Sequence, residues 1–275
     1  MIKIVCDSIS DLPKELIEKY DIEVVPLTVI FNGVEYIDGV TITNREFYKM
    51  LREASVMPKT SQVTYSQFAD VFDKYKNKEV LYIGGSSSAS GTFQSAMIAK
   101  NDGYDNVEVF DTQSLSIGSA LFVIKACEMR DKGYTMEEIK SNLELLKGIE
   151  EVMFSVDTLE YLKMGGRISA TKASIGNLLN VKPILGIDNG LVVQKSQVRG
   201  KKQVYSALIN KISEKYNGDL KHKTVIIGCG DNKEDLEIMK NQLESKFDIG
   251  NVYLVNIGCG ICSHSGPGII GISVI

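Results

Sequence analysis

Glu79-Val80-Leu81-Tyr82-Ile83 runs straight into Gly84-Gly85-Ser86-Ser87-Ser88-Ala89-Ser90-Gly91-Thr92, and this stretch decides the fold class. The first five residues read as a short buried strand. The next nine are small and turn-forming, and a helix should follow them. The same strand, loop, helix rhythm recurs on both sides. Upstream, Ile2-Lys3-Ile4-Val5 is a β-branched run. Ser10 or Asp11 then caps a helix, with Pro13 near its first turn. Glu23 to Ile30 reads as one strand. Asn44 caps a helix through Ala54, and Thr64-x-x-Gln67 is a capping box for a helix ending near Tyr75. Downstream, Val107 to Phe110 is a strand, and Asp111-Thr112 opens a helix around Leu115 to Arg130. Thr135-x-x-Glu138 is a further capping box. A repeated βαβ pattern implies a parallel sheet with helices on both faces.

The rhythm changes near residue 150. Val152 to Val156 is a strand, and Leu159 to Met164 a short helix stopped by Gly165-Gly166. Val181 to Ile187 and Leu191 to Val198 flank Asp188-Asn189-Gly190, a hairpin turn. Helices from Gln203 to Tyr216 and Glu234 to Phe247 alternate with strands at 224–228 and 252–257, and a last strand ends the chain. The expectation is α/β with two domains: a parallel βαβ domain over 1–150 and a mixed or antiparallel α+β domain over 151–275. A length of 275 residues suits this, at about 150 residues per domain.

Composition narrows the function classes. Charged residues are 24% and hydrophobic residues 44%, ordinary globular values that exclude disorder as the main state. A net charge of −4 gives no footprint for non-specific nucleic-acid binding. The longest apolar stretch, Leu115 to Cys127, is too broken by Ser116, Gly118, Ser119 and Lys125 to cross a bilayer. The opening Met1 to Asp7 lacks the parts of a signal peptide. Five scattered cysteines form no disulfide framework and fit a reduced cytoplasm.

Three loops carry the chemistry: Lys59-Thr60-Ser61-Gln62, Ser86 to Thr92, and Ser263-His264-Ser265-Gly266-Pro267-Gly268. Ligands of open α/β sheets sit beyond strand carboxyl ends, and hydroxyls with backbone N–H groups at a helix start attract anions. The same residues also make ordinary turns and caps. Cys259-x-x-Cys262-x-His264 with Cys229 resembles half a zinc site, but no second CxxC completes it, and no metal is expected. Ser90, His264 and Asp7 or Asp111 suggest a hydrolase or acyltransferase, without the G-x-S-x-G elbow. A phosphate or nucleotide binder using Ser86 to Thr92 has no Walker or G-x-G-x-x-G sequence behind it. Gly165-Gly166-Arg167 reads as a helix cap with a solvated arginine, Asp7-Ser8 as a cap, and His222 as solvated.

Taken together and in this order, the loops resemble the DegV family of bacterial fatty-acid-binding proteins. The matching pieces begin with Asp7-Ser8-x-x-Asp11-Leu12-Pro13, Pro26-Leu27, Lys59-Thr60-Ser61-Gln62 and Ser86-Ser87-x-x-Ser90-Gly91-Thr92-Phe93-Gln94-Ser95-Ala96. They continue with Asp111-Thr112, Tyr161-Leu162-x-x-Gly165-Gly166-Arg167-Ile168, Arg199-Gly200 and His264-Ser265-Gly266-Pro267-Gly268, so the resemblance spans the chain. It implies two α/β domains with one long-chain fatty acid buried between or beneath them, and no cofactor. It implies a carrier with no catalytic residue of its own, presenting the carboxylate to a fatty acid kinase for phosphorylation and entry into phospholipid synthesis. Thr60 and Ser90 would bind the carboxylate. Ser61, Gly91, Thr92 and His264 would lie near it, the terminal segment returning to the site. Arg199 would face the kinase or a phosphate. A cytoplasmic protein with transient membrane-surface contact fits this picture. The chain differs from the family's usual pattern at Val63, where proline is common, at Ala89 and at Gln203.

Overall fold

The structure is a computed structural model that describes residues 1–168 and 180–275. Its first seven strands are β1 (Lys3–Asp7), β2 (Glu23–Val25), β3 (Thr28–Phe31), β4 (Val34–Ile37), β5 (Lys59–Ser61), β6 (Val80–Gly84) and β7 (Val107–Asp111). Four of them form an all-parallel sheet in the order β2-β1-β6-β7. The helices between are α1 (Lys14–Lys19), α2 (Asn44–Glu53), α3 (Tyr65–Lys74), α4 (Thr92–Asn101), α5 (Ile117–Asp131) and α6 (Met136–Leu146). The strand–loop–helix read at 79–92 is present, and both boxes, Thr64 with Gln67 and Thr135 with Glu138, cap their helices.

Several local expectations are corrected. The run from Glu23 to Ile30 is two strands in two sheets. Pro26 has no N–H for a ladder, and the Leu27 N–H goes to Ser8 Oγ at 3.1 Å instead. The chain then enters a small antiparallel sheet, β4-β3-β5. Lys59-Thr60-Ser61 is therefore a strand and not a loop, Thr60 lying opposite Val29. Neither Ser10 nor Asp11 caps the first helix. Asp7 caps a single 3-10 turn over Ser8–Ser10, Asp11 takes a left-handed backbone, and Pro13 precedes α1. Thr43, boxed with Glu46, caps α2 in place of Asn44. The helix expected from Asp111-Thr112 starts only at Ile117, because Thr112 Oγ1 turns back onto Gly84 O and Ser119 Oγ.

After residue 150 the elements are β8 (Glu151–Ser155), α7 (Glu160–Met164), β9 (Val181–Asp188), β10 (Leu191–Arg199), α8 (Lys202–Lys215) and β11 (Leu220–Cys229). They continue with α9 (Lys233–Glu244), β12 (Ile249–Asn256), α10 (Cys259–Ser265) and β13 (Ile270–Val274). Their strands form one mixed sheet, β10-β9-β8-β13-β11-β12, parallel only between β11 and β12. The hairpin at Asp188-Asn189-Gly190 closes with positive φ at Asn189 and Gly190, as a two-residue turn of this hand requires. A Cβ at Gly190 would stand 2.1 Å from Ser86 Oγ, so the hairpin tip lies against the Ser86–Ser90 loop.

Sheet membership changes between α6 and β8, yet one apolar cluster joins Leu81 and Ile83 of β6 to Val152 of β8 and Ile226 of β11. Helix α5 makes that joint. It touches β1 and β6 on one side and β8, β11 and β13 on the other. This explains why its sequence is apolar nearly all round. Where it meets the mixed sheet, Gly228 and Gly271 are paired across β11 and β13. A Cβ on Gly228 would come within 2.9 Å of Ile117 and one on Gly271 within 3.4 Å, so the bare backbone seats that side chain.

Candidate functional site

A cavity opens between the loops of the parallel sheet and one face of the mixed sheet. Most of the lining is apolar. Strands β8, β9 and β10 supply Val152, Phe154, Ile187 and Val192, and the start of α5 supplies Leu115 and Ile117. The polar groups gather. Thr60 Oγ1 and His264 Nε2 are 2.9 Å apart, and a Cβ on Gly165 would stand 2.3 Å from His264 Nδ1. Two residues beyond Gly165, the Arg167 guanidinium donates to Ala89 O at 3.2 Å, next to Ser90. All four side chains, Thr60, Ser90, Arg167 and His264, line the cavity.

His264 stands on the last turn of α10, so the segment read as a loop is helical up to Ser265. Burial, with Arg167 adding, pushes its imidazole down to about 4 from an ordinary 6.5, and the ring is neutral at pH 7. Among the described residues, Nδ1 is buried without a hydrogen-bond partner. An unpaired lone pair costs less than an unpaired N–H, which assigns the proton to Nε2. Nε2–H then donates to Thr60 Oγ1, and the Thr60 hydroxyl proton is left to serve the cavity. Ser90 Oγ accepts the Thr92 N–H at 3.2 Å and donates to Thr92 Oγ1 at 3.1 Å. Rotating that hydroxyl turns its proton to the cavity without moving the loop.

The other expected residues stand behind this group. Thr92 is buried, and its Oγ1 accepts the Val63 N–H at 3.3 Å, a bond that a proline at 63 could not donate. Gly91 supports Gln62: a Cβ there would be 1.9 Å from Gln62 Oε1. Ser61 pairs with Thr28 in the small sheet. None of these three lines the cavity. Arg199 ends β10, exposed and outside the lining. His222 is exposed, as expected.

Arg167 is the functional candidate that sequence reasoning missed. The helix cap is present, with Gly166 at φ 70° and the Arg167 N–H on Leu162 O at 2.9 Å. But the arginine side chain points inward, held by Ala89 O and Gly165 O. Among the described residues it is the one cation in the lining.

The rival constellations are not assembled. Among the described residues His264 faces Thr60 and no carboxylate. Asp7 is taken up by Tyr82 and the Ile9 N–H, and Asp111 by the N–H groups of Ser87 and Gln113. Cys229 and Cys262 donate to backbone carbonyls and Cys259 to Asn44, and no group of three His, Cys, Asp or Glu is placed to hold a metal among the described residues. No described helix is long and apolar enough to cross a membrane.

Comparison with known proteins gives a consistent picture. A family model described as "Uncharacterised protein, DegV family" matches residues 1–275. A DegV domain-containing protein from Caldanaerobacter subterraneus is 40% identical over 276 residues, 98% of this chain and 97% of the relative. A solved structure described as fatty acid binding of a DegV family protein, from Thermus thermophilus, superposes with a TM-score of 0.93 at 33% identity. That match covers 99% of this chain and 98% of the other. A stearic acid-binding protein from Eubacterium ventriosum superposes with a TM-score of 0.91 at 31% identity, over 100% of this chain and 98% of the other.

Proposed function

The chain belongs to the DegV family, and we propose that it is a carrier of one long-chain fatty acid whose carboxylate it presents to a fatty acid kinase. The observation that carries this reading is the cavity's polarity: strand faces and α5 make it apolar, and Thr60, Ser90, Arg167 and His264 collect in one place. Relatives described as binding fatty acid support it.

The energetics suit a tail held by area and a head held by direction. Burying about 15 methylenes at roughly 0.8 kcal/mol each offers on the order of 12 kcal/mol before ordering costs. Hydrogen bonds to a charged group add about 1.5–3 kcal/mol each. Thr60 and Ser90 donate hydroxyl protons to the carboxylate, and Arg167 offsets its charge. The neutral His264 holds the Thr60 hydroxyl in its donating orientation. In the partner's site a carboxylate oxygen takes the γ-phosphoryl group of ATP and ADP leaves. This chain contributes no nucleophile of its own to that transfer. Ser61, Gly91 and Thr92 shape the loops that hold Thr60 and Ser90, and Arg199 meets the kinase or the phosphate.

Native mass spectrometry of the protein as purified is the test. A co-purifying long-chain fatty acid at one per chain is expected. A bound nucleotide, or ester hydrolysis abolished by Ser90→Ala, overturns the reading.

A further inference from the structure

The motif Asp7-Ser8-x-x-Asp11 and the more distant Asp38 have no part in the cavity lining, yet all three carboxylates are buried. Two of them meet the start of α10. Asp11 Oδ1 accepts the Gly258 N–H at 2.6 Å. Asp38 accepts the Cys259 N–H at 3.3 Å on Oδ1 and the Gly260 N–H at 3.2 Å on Oδ2. These are three of the four amides that a helix start leaves without partners, and the carboxyl oxygens satisfy them. The approach needs glycine: a Cβ on Gly258 would be 2.8 Å from Asp11 Oδ1.

The same carboxylates reach outward. Asp11 Oδ2 accepts the Ser116 hydroxyl at 2.5 Å, and Asp38 Oδ2 accepts that of Ser8 at 2.9 Å. Asp11 thereby ties the start of α5 to the start of α10, and both starts line the cavity through Ser116 and Gly260. Ser116 holds φ 53° and ψ −129°, a backbone state that residues with side chains seldom adopt and that surrounding bonds must maintain. Helix α10 has seven residues, too few to be stable by itself. What grips its first turn sets where its last turn, and His264, stand.

We propose that Asp38, with Asp11, is a positioning residue of the cavity's polar end. It anchors α10 so that the His264 Nε2–H stays on Thr60 Oγ1 and the Thr60 proton faces the ligand. The effect on fatty acid rests on the carrier reading; the effect on the imidazole does not.

The chain has only two histidines, so a nitrogen spectrum of the imidazoles separates His264 from His222. In the wild type His264 shows the single Nε2–H tautomer. Asp38→Ala mixes its tautomers and weakens fatty-acid binding about tenfold, the value of roughly one charge-assisted hydrogen bond. Asp38→Asn keeps one acceptor oxygen and gives a smaller change in the same direction. It carries the test if the alanine variant does not fold. Asp7→Asn, in the same acidic group but bonded to Tyr82 and the Ile9 N–H, leaves the His264 signal as in the wild type. An unmoved His264 signal in a folded Asp38 variant, or an equal change in Asp7→Asn, overturns the proposal. A wild type that binds no fatty acid fails the carrier reading, while the nitrogen spectrum still decides the positioning.

Discussion

At its polar end the cavity is assembled from four stretches far apart in sequence: Thr60 on β5, Ser90 before α4, Arg167 after α7 and His264 on α10. At its apolar end it is made from the faces of neighbouring strands and the start of α5, with glycine where space is needed. The first end works by direction, so each group is worth a hydrogen bond or two. The second works by volume, so a single added side chain removes the contribution of several methylenes. The difference predicts which substitutions hurt most and what each should be sensitive to.

Filling the apolar end should have the largest effect. Gly271 lines the cavity, and a Cβ there would stand 3.0 Å from Phe154 Cβ and 3.4 Å from Ile117 Cδ1. Gly271→Val excludes roughly four methylenes of a long chain, about 3 kcal/mol or a hundredfold in affinity. A twelve-carbon acid should lose much less than an eighteen-carbon one. Calorimetric titration across chain lengths checks this, with a melting curve to confirm folding. Equal losses for both acids would show that the tail does not run toward β13.

Removing the cation tests the other end. Arg167→Met should cost about 2 kcal/mol for a fatty acid, the worth of a charge-assisted bond. The matching fatty alcohol should bind almost as before, since it has no charge to lose. An alcohol that weakens as much as the acid would assign Arg167 a packing role only. Thr60→Ala with Ser90→Ala should cost a few kcal/mol at most. A folded double variant with unchanged affinity would place the carboxylate elsewhere.

The neutral imidazole gives a smaller effect, on stability. His264 has a folded value of about 4 against 6.5 when unfolded. The unfolded chain therefore takes up a proton first as the pH falls. Stability is unaffected by this group above pH 6.5 and declines as the pH drops from there toward 4. Buried Asp11, raised to about 8 from 3.8, works the opposite way: its contribution is present at low pH and is lost as the pH rises toward 8. The comparison is therefore best made as wild type minus His264→Gln. Denaturant unfolding should show that difference shrinking by on the order of 1–2 kcal/mol between pH 7 and pH 4.5. No change would mean that the ring is more solvated than its surroundings imply.

What was legible in the sequence follows the same division. Features fixed by neighbouring residues could be read directly: the boxes at Thr64 and Thr135, the hairpin at Asn189-Gly190, and the strand–loop–helix around Ser90. The split of residues 23–30 was not legible, because what separates β2 from β3 is a bond from Leu27 to Ser8, across the fold. Thr60, Ser90 and His264 were brought together by resemblance; spacing alone gave no reason to join residues 60 and 264. Gly165-Gly166-Arg167 reads as a helix cap from its neighbours alone, and the Arg167 N–H on Leu162 O completes one. The cap is local and legible, but the side chain is not solvated as its neighbours suggest, since it turns inward to Ala89 O. Asp38 carried no local signal, because its partners on α10 lie more than 200 residues away and Ser8 lies 30 residues before it.

Arg199 should have the smallest effect on binding and so gives the sharpest separation between holding a fatty acid and handing it on. It ends β10, pairs with Val181 across the hairpin, is exposed, and does not line the cavity. Arg199→Ala should leave fatty-acid affinity within about twofold, under 0.5 kcal/mol, as for surface substitutions generally. If it meets the kinase or the phosphate, acyl-phosphate formation should nevertheless fall, because a guanidinium fork matches phosphate oxygens in a way no neutral residue does. Arg199→Lys should recover part of the loss, keeping the charge without the fork. The measurement is acyl-phosphate formation with a fatty acid kinase from the same source, run beside a lipid titration of each variant. Turnover unchanged in Arg199→Ala would remove Arg199 from the transfer step. Turnover and affinity falling together would move it into the binding site, against its place on the outer end of β10.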